Sequence, residues 1–429
     1  MTARTLPTAR RRRRPLLAAA AGLLLALGAA LAALALLGRE RLQETVTVEW
    51  RHDLIALTSR LTAPRLDTAD AVPVWPRVSN PLGVNTFLEQ EPDPAARRRT
   101  LQMIHDAGIA WIRQEFPWKD IEQGRGSFVD RKFGTSTWDK YDSIVDLSAE
   151  YNVRVIARLS TSPAWAHPNV PGDDLTPPDN YADFGDFCSA VAARYRGRIP
   201  VYQVWNEPNL DREWGNHPVN AAQYVQLLRV AAQRIKQADP DALVMSAALA
   251  PTIEQSERAL SDVIFLQQMY DAGARDSFDI LGVQAYGLRN GPDDHRLDFG
   301  DVNFSRVLRI REVMVRNGDA GKPMWASEVG WNAAPPDLPY PNDYGRVSER
   351  LQAQYTVRAF ERAREEWPWM GVMAVWFFKR ADQAEIQQPW YYFRLVDPDF
   401  TPRPVYTALA DYARQRQLTL PSTLERRPG

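Results

Sequence analysis

Two glutamates stand where apolar runs end. Residues 201–210 read VYQVWNEPNL and carry Glu207; residues 324–331 read MWASEVGW and carry Glu328. Acidic residues are depleted in strands and costly to bury without partners, so two of them at the tips of strand-like runs call for an explanation. Paired carboxyls facing one cleft can cleave an acetal, one donating a proton while the other attacks or activates water. In glycoside hydrolysis a gap of about 5–5.5 Å between them gives retention of configuration, and about 6.5–9.5 Å gives inversion. The plainer reading is that Asn206 and Pro208 punctuate a strand end, leaving Glu207 a solvated turn residue.

The elements that carry the two glutamates decide between these readings. From residue 81 onward, short apolar runs alternate with helical segments. The runs are 81–87, 109–116, 153–160, 200–207, 242–249, 279–286, 322–329 and 371–378, with Glu207 and Glu328 ending the fourth and seventh. Helix candidates lie at 93–108, 138–151, 179–196, 219–238, 255–273, 304–317, 348–366 and 403–415. The first opens with Asp93 as N-cap and Pro94 at the first helical position, and closes at Gly108. Eight strands alternating with eight helices predict a single (β/α)8 TIM barrel. A doubly wound open sheet would alternate in the same way and stays open at this point, although no GxGxxG follows the first strand. The long Pro/Gly/Asp-rich connections at 162–180, 287–303, 332–346 and 379–400 all follow strands. In a barrel they gather at the C-terminal face, where active sites of this fold sit, and strands four and seven then face each other across the mouth. The barrel is expected over residues 81–415, after a connector at 39–80 and before a C-terminal tail at 416–429.

Composition removes other chemistries. The single cysteine, Cys188, excludes an internal disulfide and a Cys-based zinc site, and five histidines without HExxH offer no His-rich metal pattern. No metal and no organic cofactor is expected. With 52 basic against 53 acidic residues, the net charge of −1 gives no general attraction for nucleic acid. No GxSxG elbow is present for a serine nucleophile. Basic residues cluster at one place, RRRRR at 10–14, directly before an uncharged apolar stretch at 16–37 that is long enough to cross a bilayer as a helix. Charged residues follow at once, so residues 1–38 read as a basic tail and a single-pass signal anchor in the cytoplasmic membrane. The arginines would stay inside and the barrel would lie outside. Ala33-Leu34-Ala35 is the alternative, a cleavage site that would make the protein secreted.

QVWNEPN, with ASEVGW on a later strand, resembles the retaining glycoside hydrolases of clan A, most of all family 39. Residues 136–166, STWDKYDSIVDLSAEYNVRVIARLSTSPAWA, are similar to the second-helix and third-strand region of those enzymes. The resemblance covers residues 81–412 and implies a carbohydrate substrate, a β-linked poly- or oligosaccharide with the cell's own exopolysaccharide as one candidate. It implies Glu207 as general acid/base and Glu328 as nucleophile, with Asn206 on the sugar 2-hydroxyl. Arg113 and Tyr286 would support the nucleophile, and Trp376 would floor the sugar subsite. Many relatives have His-x-Tyr on the sixth strand, whereas this chain has Gln284-Ala285-Tyr286, and Gln284 can hydrogen-bond without carrying charge. Trp165, Trp118, Trp214, Trp331 and Trp390 lie at or beyond predicted strand ends, placed either to stack on sugar rings or to fill core.

The chemistry sets conditions on the pair. A nucleophilic carboxylate must be ionised, which Arg113 and the Tyr286 hydroxyl favour. An acid must hold its proton near neutral pH, so Glu207 is expected to lack a cationic partner and to feel the charge of Glu328. Esterification of Glu328 would remove that repulsion and let Glu207 act as base. The same residues would serve transglycosylation. A non-catalytic carbohydrate-binding barrel is the reading from another class, and such a chain would be expected to lack one of the two glutamates. Endo or exo action, oligomeric state and protein partners stay open.

Overall fold

A computed structural model of the chain describes residues 54–170, 173–338 and 343–426. The chain divides into residues 1–58 and 59–429, and the second unit holds every element discussed below. Strands buried on both faces need nearly continuous apolar sequence, and the eight runs supply it. They form β1 (Leu82–Thr86), β2 (Trp111–Pro117), β3 (Arg154–Ser160) and β4 (Val201–Val204). The second half supplies β5 (Leu243–Met245), β6 (Leu281–Tyr286), β7 (Met324–Gly330) and β8 (Met370–Val375). All pair in parallel, in the order β5-β4-β3-β2-β1-β8-β7-β6. First and last strands pair directly (Leu82 with Met373, Val84 with Val375), which an open doubly wound sheet does not do. The remaining seam, β5 to β6, is joined by the bridges Met245–Ile280 and Leu249–Val283. There the Gly282 amide also donates to the Ser246 hydroxyl at 3.0 Å.

A long helix follows each strand: α1 (Pro94–Asp106), α2 (Asp139–Glu150), α3 (Tyr181–Arg194) and α4 (Ala221–Ala238). The others are α5 (Asp262–Asp271), α6 (Val307–Arg316), α7 (Glu349–Glu366) and α8 (Pro404–Gln415). The Asp93 side chain caps α1 by accepting from the Ala95 amide, and Leu101 and Ile104 form its buried stripe. The helix expected at 255–273 starts later, because Gln255 and Leu260 bridge to each other and take the preceding residues into a turn.

The two ends of the barrel differ. At the N-terminal end, Trp111, Ile156, Met245, Trp325 and Val372 form an apolar cluster covered by Val78, Leu420 and Leu424. Arg77–Val78 pairs antiparallel with Leu424–Glu425 across that end. Residues 68–80 are tied to the barrel as well: Arg311 Nε donates to the Thr68 carbonyl at 3.0 Å and Trp369 Nε1 to Asp70 at 2.8 Å. Chain and tail thus close the bottom, leaving the loop-bearing top for chemistry. Among the described residues no helix is long and apolar enough to cross a membrane. The apolar stretch at 16–37, expected as an anchor, lies outside those residues.

Candidate active site

Side chains alternate along a strand, so Arg113 shares the inner face of β2 with Trp111 below and Glu115 above. Arg113 sits inside β2, and its guanidinium is buried in the barrel. A buried guanidinium has five donors to satisfy and no water to do it. Nε donates to Gln203 at 2.6 Å on β4, and Nη2 to Asn206 Oδ1 at 2.8 Å. Nη1 donates to Asn85 on β1 at 2.8 Å and to Glu328 Oε1 on β7 at 2.9 Å. Glu115, on the same face as Arg113, pairs with Arg158 and accepts from Ser160 at 2.7 Å.

Glu328 lies within β7, two residues short of its end, and is buried. Its second oxygen accepts from the Tyr286 hydroxyl at 2.7 Å. Burial, then the Glu328 charge, pushes the Tyr286 phenol well above its ordinary value, so it remains a donor. Asn85 completes the cage by donating to the Ser327 carbonyl at 2.8 Å.

Glu207 is held differently. Strand β4 ends at Val204, three residues earlier than the sequence pattern implied, and Glu207 sits in the turn beyond it. Trp205 and Glu207 adopt φ of 69° and 39°, a left-handed backbone that costs non-glycine residues on the order of 1–3 kcal/mol each. Neighbouring contacts hold the turn. The Glu207 amide donates to the Ala248 carbonyl at 3.1 Å, and Asn209 Nδ2 reaches Ala250 and Leu260 carbonyls at 2.9 Å. The Gln284 amide donates to Glu207 Oε1. Burial raises the Glu207 pKa to about 8, assisted by the negative charges of Glu213 and then Glu328. The expectation that Glu207 lacks a cationic partner needs correction: Arg212 Nη2 lies 3.9 Å from its Oε2. That guanidinium is largely exposed, and solvent screening leaves its pull smaller than the combined push of burial and two carboxylates.

The aromatic candidates divide. Trp376 lies just beyond β8, half-buried, with its amide on the Val329 carbonyl at 2.9 Å and its ring edge-on to Phe87. Trp390 is half-buried near Tyr344, and the burial-raised Tyr344 phenol also feels Arg212 and Glu207, which puts both rings at the mouth. Trp165 keeps part of its surface, but Arg125 covers one face at 4.7 Å. Trp118 and Trp331, candidates for ring stacking, are fully buried, as is Trp214. Trp118 donates to Glu122 and packs on Phe187, Trp331 donates to the Asn290 carbonyl, and Trp214 lies against Trp205. They leave no face for a ligand.

Three residues of the site escaped the sequence reading. Asn85 and Gln203 are polar positions inside apolar strands, and that oddity was a usable signal. Glu213 lies in the short helical turn Asp211–Glu213 and looked like any solvated loop acid.

No protein-family model matches the chain. A stretch of 114 residues is 31% identical to a β-xylosidase of Geobacillus stearothermophilus, covering 23% of this chain and 22% of that protein. Among solved structures, a family 39 glycoside hydrolase from Bacteroides cellulosilyticus WH2 superposes with a TM-score of 0.60 at 20% identity, over 82% of this chain and 65% of that one. A family 39 β-xylosidase from Caulobacter crescentus gives 0.56 at 18% identity, over 85% and 76%. The family 39 enzyme from Xanthomonas axonopodis pv. citri gives 0.54 at 18% identity, over 86% and 74%. At these identities the shared feature is the (β/α)8 fold.

The folded chain binds the Glu207 proton more tightly than an unfolded chain, whose carboxyl has the ordinary value of 4.5. This contribution to stability is complete below that value and is lost as pH rises through about 8. Glu207→Gln is therefore expected to raise the melting temperature by on the order of a few °C near pH 9 and to change it little near pH 5, as read by calorimetry. An equal change at both pH values would mean that Glu207 is not held protonated.

Proposed function

We propose that the chain is a retaining β-glycosidase that cleaves a β-linked poly- or oligosaccharide by double displacement. The observation that carries this reading is the contrast between two carboxyls at one barrel mouth. Glu328 takes hydrogen bonds on both oxygens from Arg113 and Tyr286, whereas Glu207 is desolvated, which raises its pKa to about 8 and favours its protonated form. Carboxyls whose surroundings separate their roles in this way are suited to nucleophile and acid.

In the first step a Glu328 oxygen bonds to the anomeric carbon as the bond to the leaving oxygen breaks, and the Glu207 proton passes to that oxygen. In the second, Glu207 takes a proton from water, and the hydroxide equivalent displaces Glu328. The balance needs no redox partner or cofactor. Asn206 Oδ1 is fixed by Arg113 and one Nδ2 hydrogen goes to Glu213, leaving the second Nδ2 hydrogen as the donor for a sugar 2-hydroxyl. Trp376, Trp390 and Trp165 are the aromatic surfaces for sugar rings, and Gln284 aligns the acid. The fold shared with family 39 enzymes and the partial likeness to a β-xylosidase support the reading.

Glu207→Gln is expected to lower turnover of an unactivated glycan by about 10²–10⁴-fold, with far less loss on aryl glycosides whose leaving group needs no proton. Glu328→Gln should cost about a thousandfold or more on both, with the sugar still bound. Wild-type turnover by both variants would overturn the assignment.

We also propose that residues 16–37 anchor the chain in the cytoplasmic membrane with the barrel outside, where an exopolysaccharide would be within reach. Mass spectrometry of the protein from membranes should find residues 1–38 intact. A mature N-terminus beyond residue 35 would replace the anchor with secretion.

A further inference from the structure

Beside the two carboxyls stands a third that the two-step reaction does not use. Glu213 is half-buried, and its Oε2 accepts from Asn206 Nδ2 at 3.3 Å. The other end of the same amide, Oδ1, accepts from Arg113 at 2.8 Å. The amide is therefore fixed at both ends, because a guanidinium can only donate and an ionised carboxylate can only accept. Its neighbour along the chain is Glu207. The Glu213 carbonyl also accepts from the Trp205 indole at 2.9 Å, which ties its turn back to the left-handed residues that aim Glu207.

We propose that Glu213 is a positioning residue for the acid/base, holding the Asn206 amide and keeping a fixed negative charge beside Glu207 throughout the reaction. This inference rests on the acid/base role given to Glu207 above. The charged and titratable groups that bear on Glu213 are Arg158 from β3, Arg212 and Glu207 from its own loop, and Glu328 from β7. Burial, with a smaller push from Glu328, holds the Glu213 carboxyl above its ordinary value too, against the pull of Arg158, the Asn206 amide and Arg212. Glu207 has only the Gln284 amide and the exposed Arg212 on its side. With two guanidiniums and the Asn206 amide facing Glu213, the proposed arrangement keeps the charge of the pair there and the proton on Glu207.

The consequence concerns the second half of the reaction. Esterification of Glu328 removes one of the two charges that oppose ionisation of Glu207, while the Glu213 charge stays. Glu207 therefore keeps a higher proton affinity as the base than a lone acid/nucleophile pair would give it, and takes its proton from water the more readily.

The test needs no substrate. In protein labelled with ¹³C at glutamate side-chain carboxyls, the Glu207 and Glu213 signals are assigned by their loss in Glu207→Gln and Glu213→Asp, and followed from pH 4 to 10. Glu213 should ionise first. Glu213→Gln should lower the Glu207 midpoint by about one pH unit, and Glu213→Asp, which keeps the charge, should largely preserve it. A Glu207 midpoint unmoved in Glu213→Gln, or a Glu213 still protonated in the wild type while Glu207 titrates, would overturn the proposal. The wild-type titration decides even if Glu213→Gln fails to fold. Absence of turnover on every glycan, with these titrations as expected, would sink the glycosidase reading and leave the placement of charge intact.

Discussion

Arg113 carries a positive charge into the centre of a barrel, where water is not available to solvate it. A cation so placed must be surrounded by acceptors, and its planar fork dictates where they stand. Four side chains meet that demand: Asn85 from β1, Gln203 from β4, Asn206 from the turn after β4 and Glu328 from β7. One is the candidate nucleophile and another adjoins the candidate acid, so the relation between the two carboxyls is set through a single guanidinium. Lysine could supply the charge but not four fixed directions.

That arrangement also gives the two glutamates opposite surroundings. Glu328 sits on a strand, rigid, with the cation and the Tyr286 hydroxyl on its oxygens. Glu207 receives no contact from the buried cation. It stands on a strained turn that Asn209 and the Ala248 carbonyl hold in place, where burial and two nearby charges favour its neutral form. The far end of the barrel is closed by Trp111, Trp325 and the paired segments Arg77–Val78 and Leu424–Glu425, so the chemistry is left to the loop-bearing end.

Much of this was legible in the sequence because it breaks local rules. Asp93-Pro94 marks a helix start through capping chemistry that hardly depends on tertiary context, and α1 begins there. Acids at the ends of apolar runs are expensive, which made Glu207 and Glu328 visible. What stayed hidden is decided by direction rather than residue type. A tryptophan past a strand end can keep part of its surface open, as Trp376 does, or turn back into the core beneath a loop, as Trp118 and Trp331 do. The early end of β4 follows from the left-handed residues Trp205 and Glu207, a backbone choice that their side chains do not announce. Glu213 gave no signal, since its role comes from where a loop folds.

The central claim is that Glu328 and Glu207 act on one anomeric centre as nucleophile and acid/base. Proton NMR of the first product formed from a defined β-glycoside, recorded before mutarotation, tests it most directly. The account predicts a β-configured product, the same configuration as the substrate. An α-configured product at early times would contradict it, because water would then have attacked without a Glu328 ester.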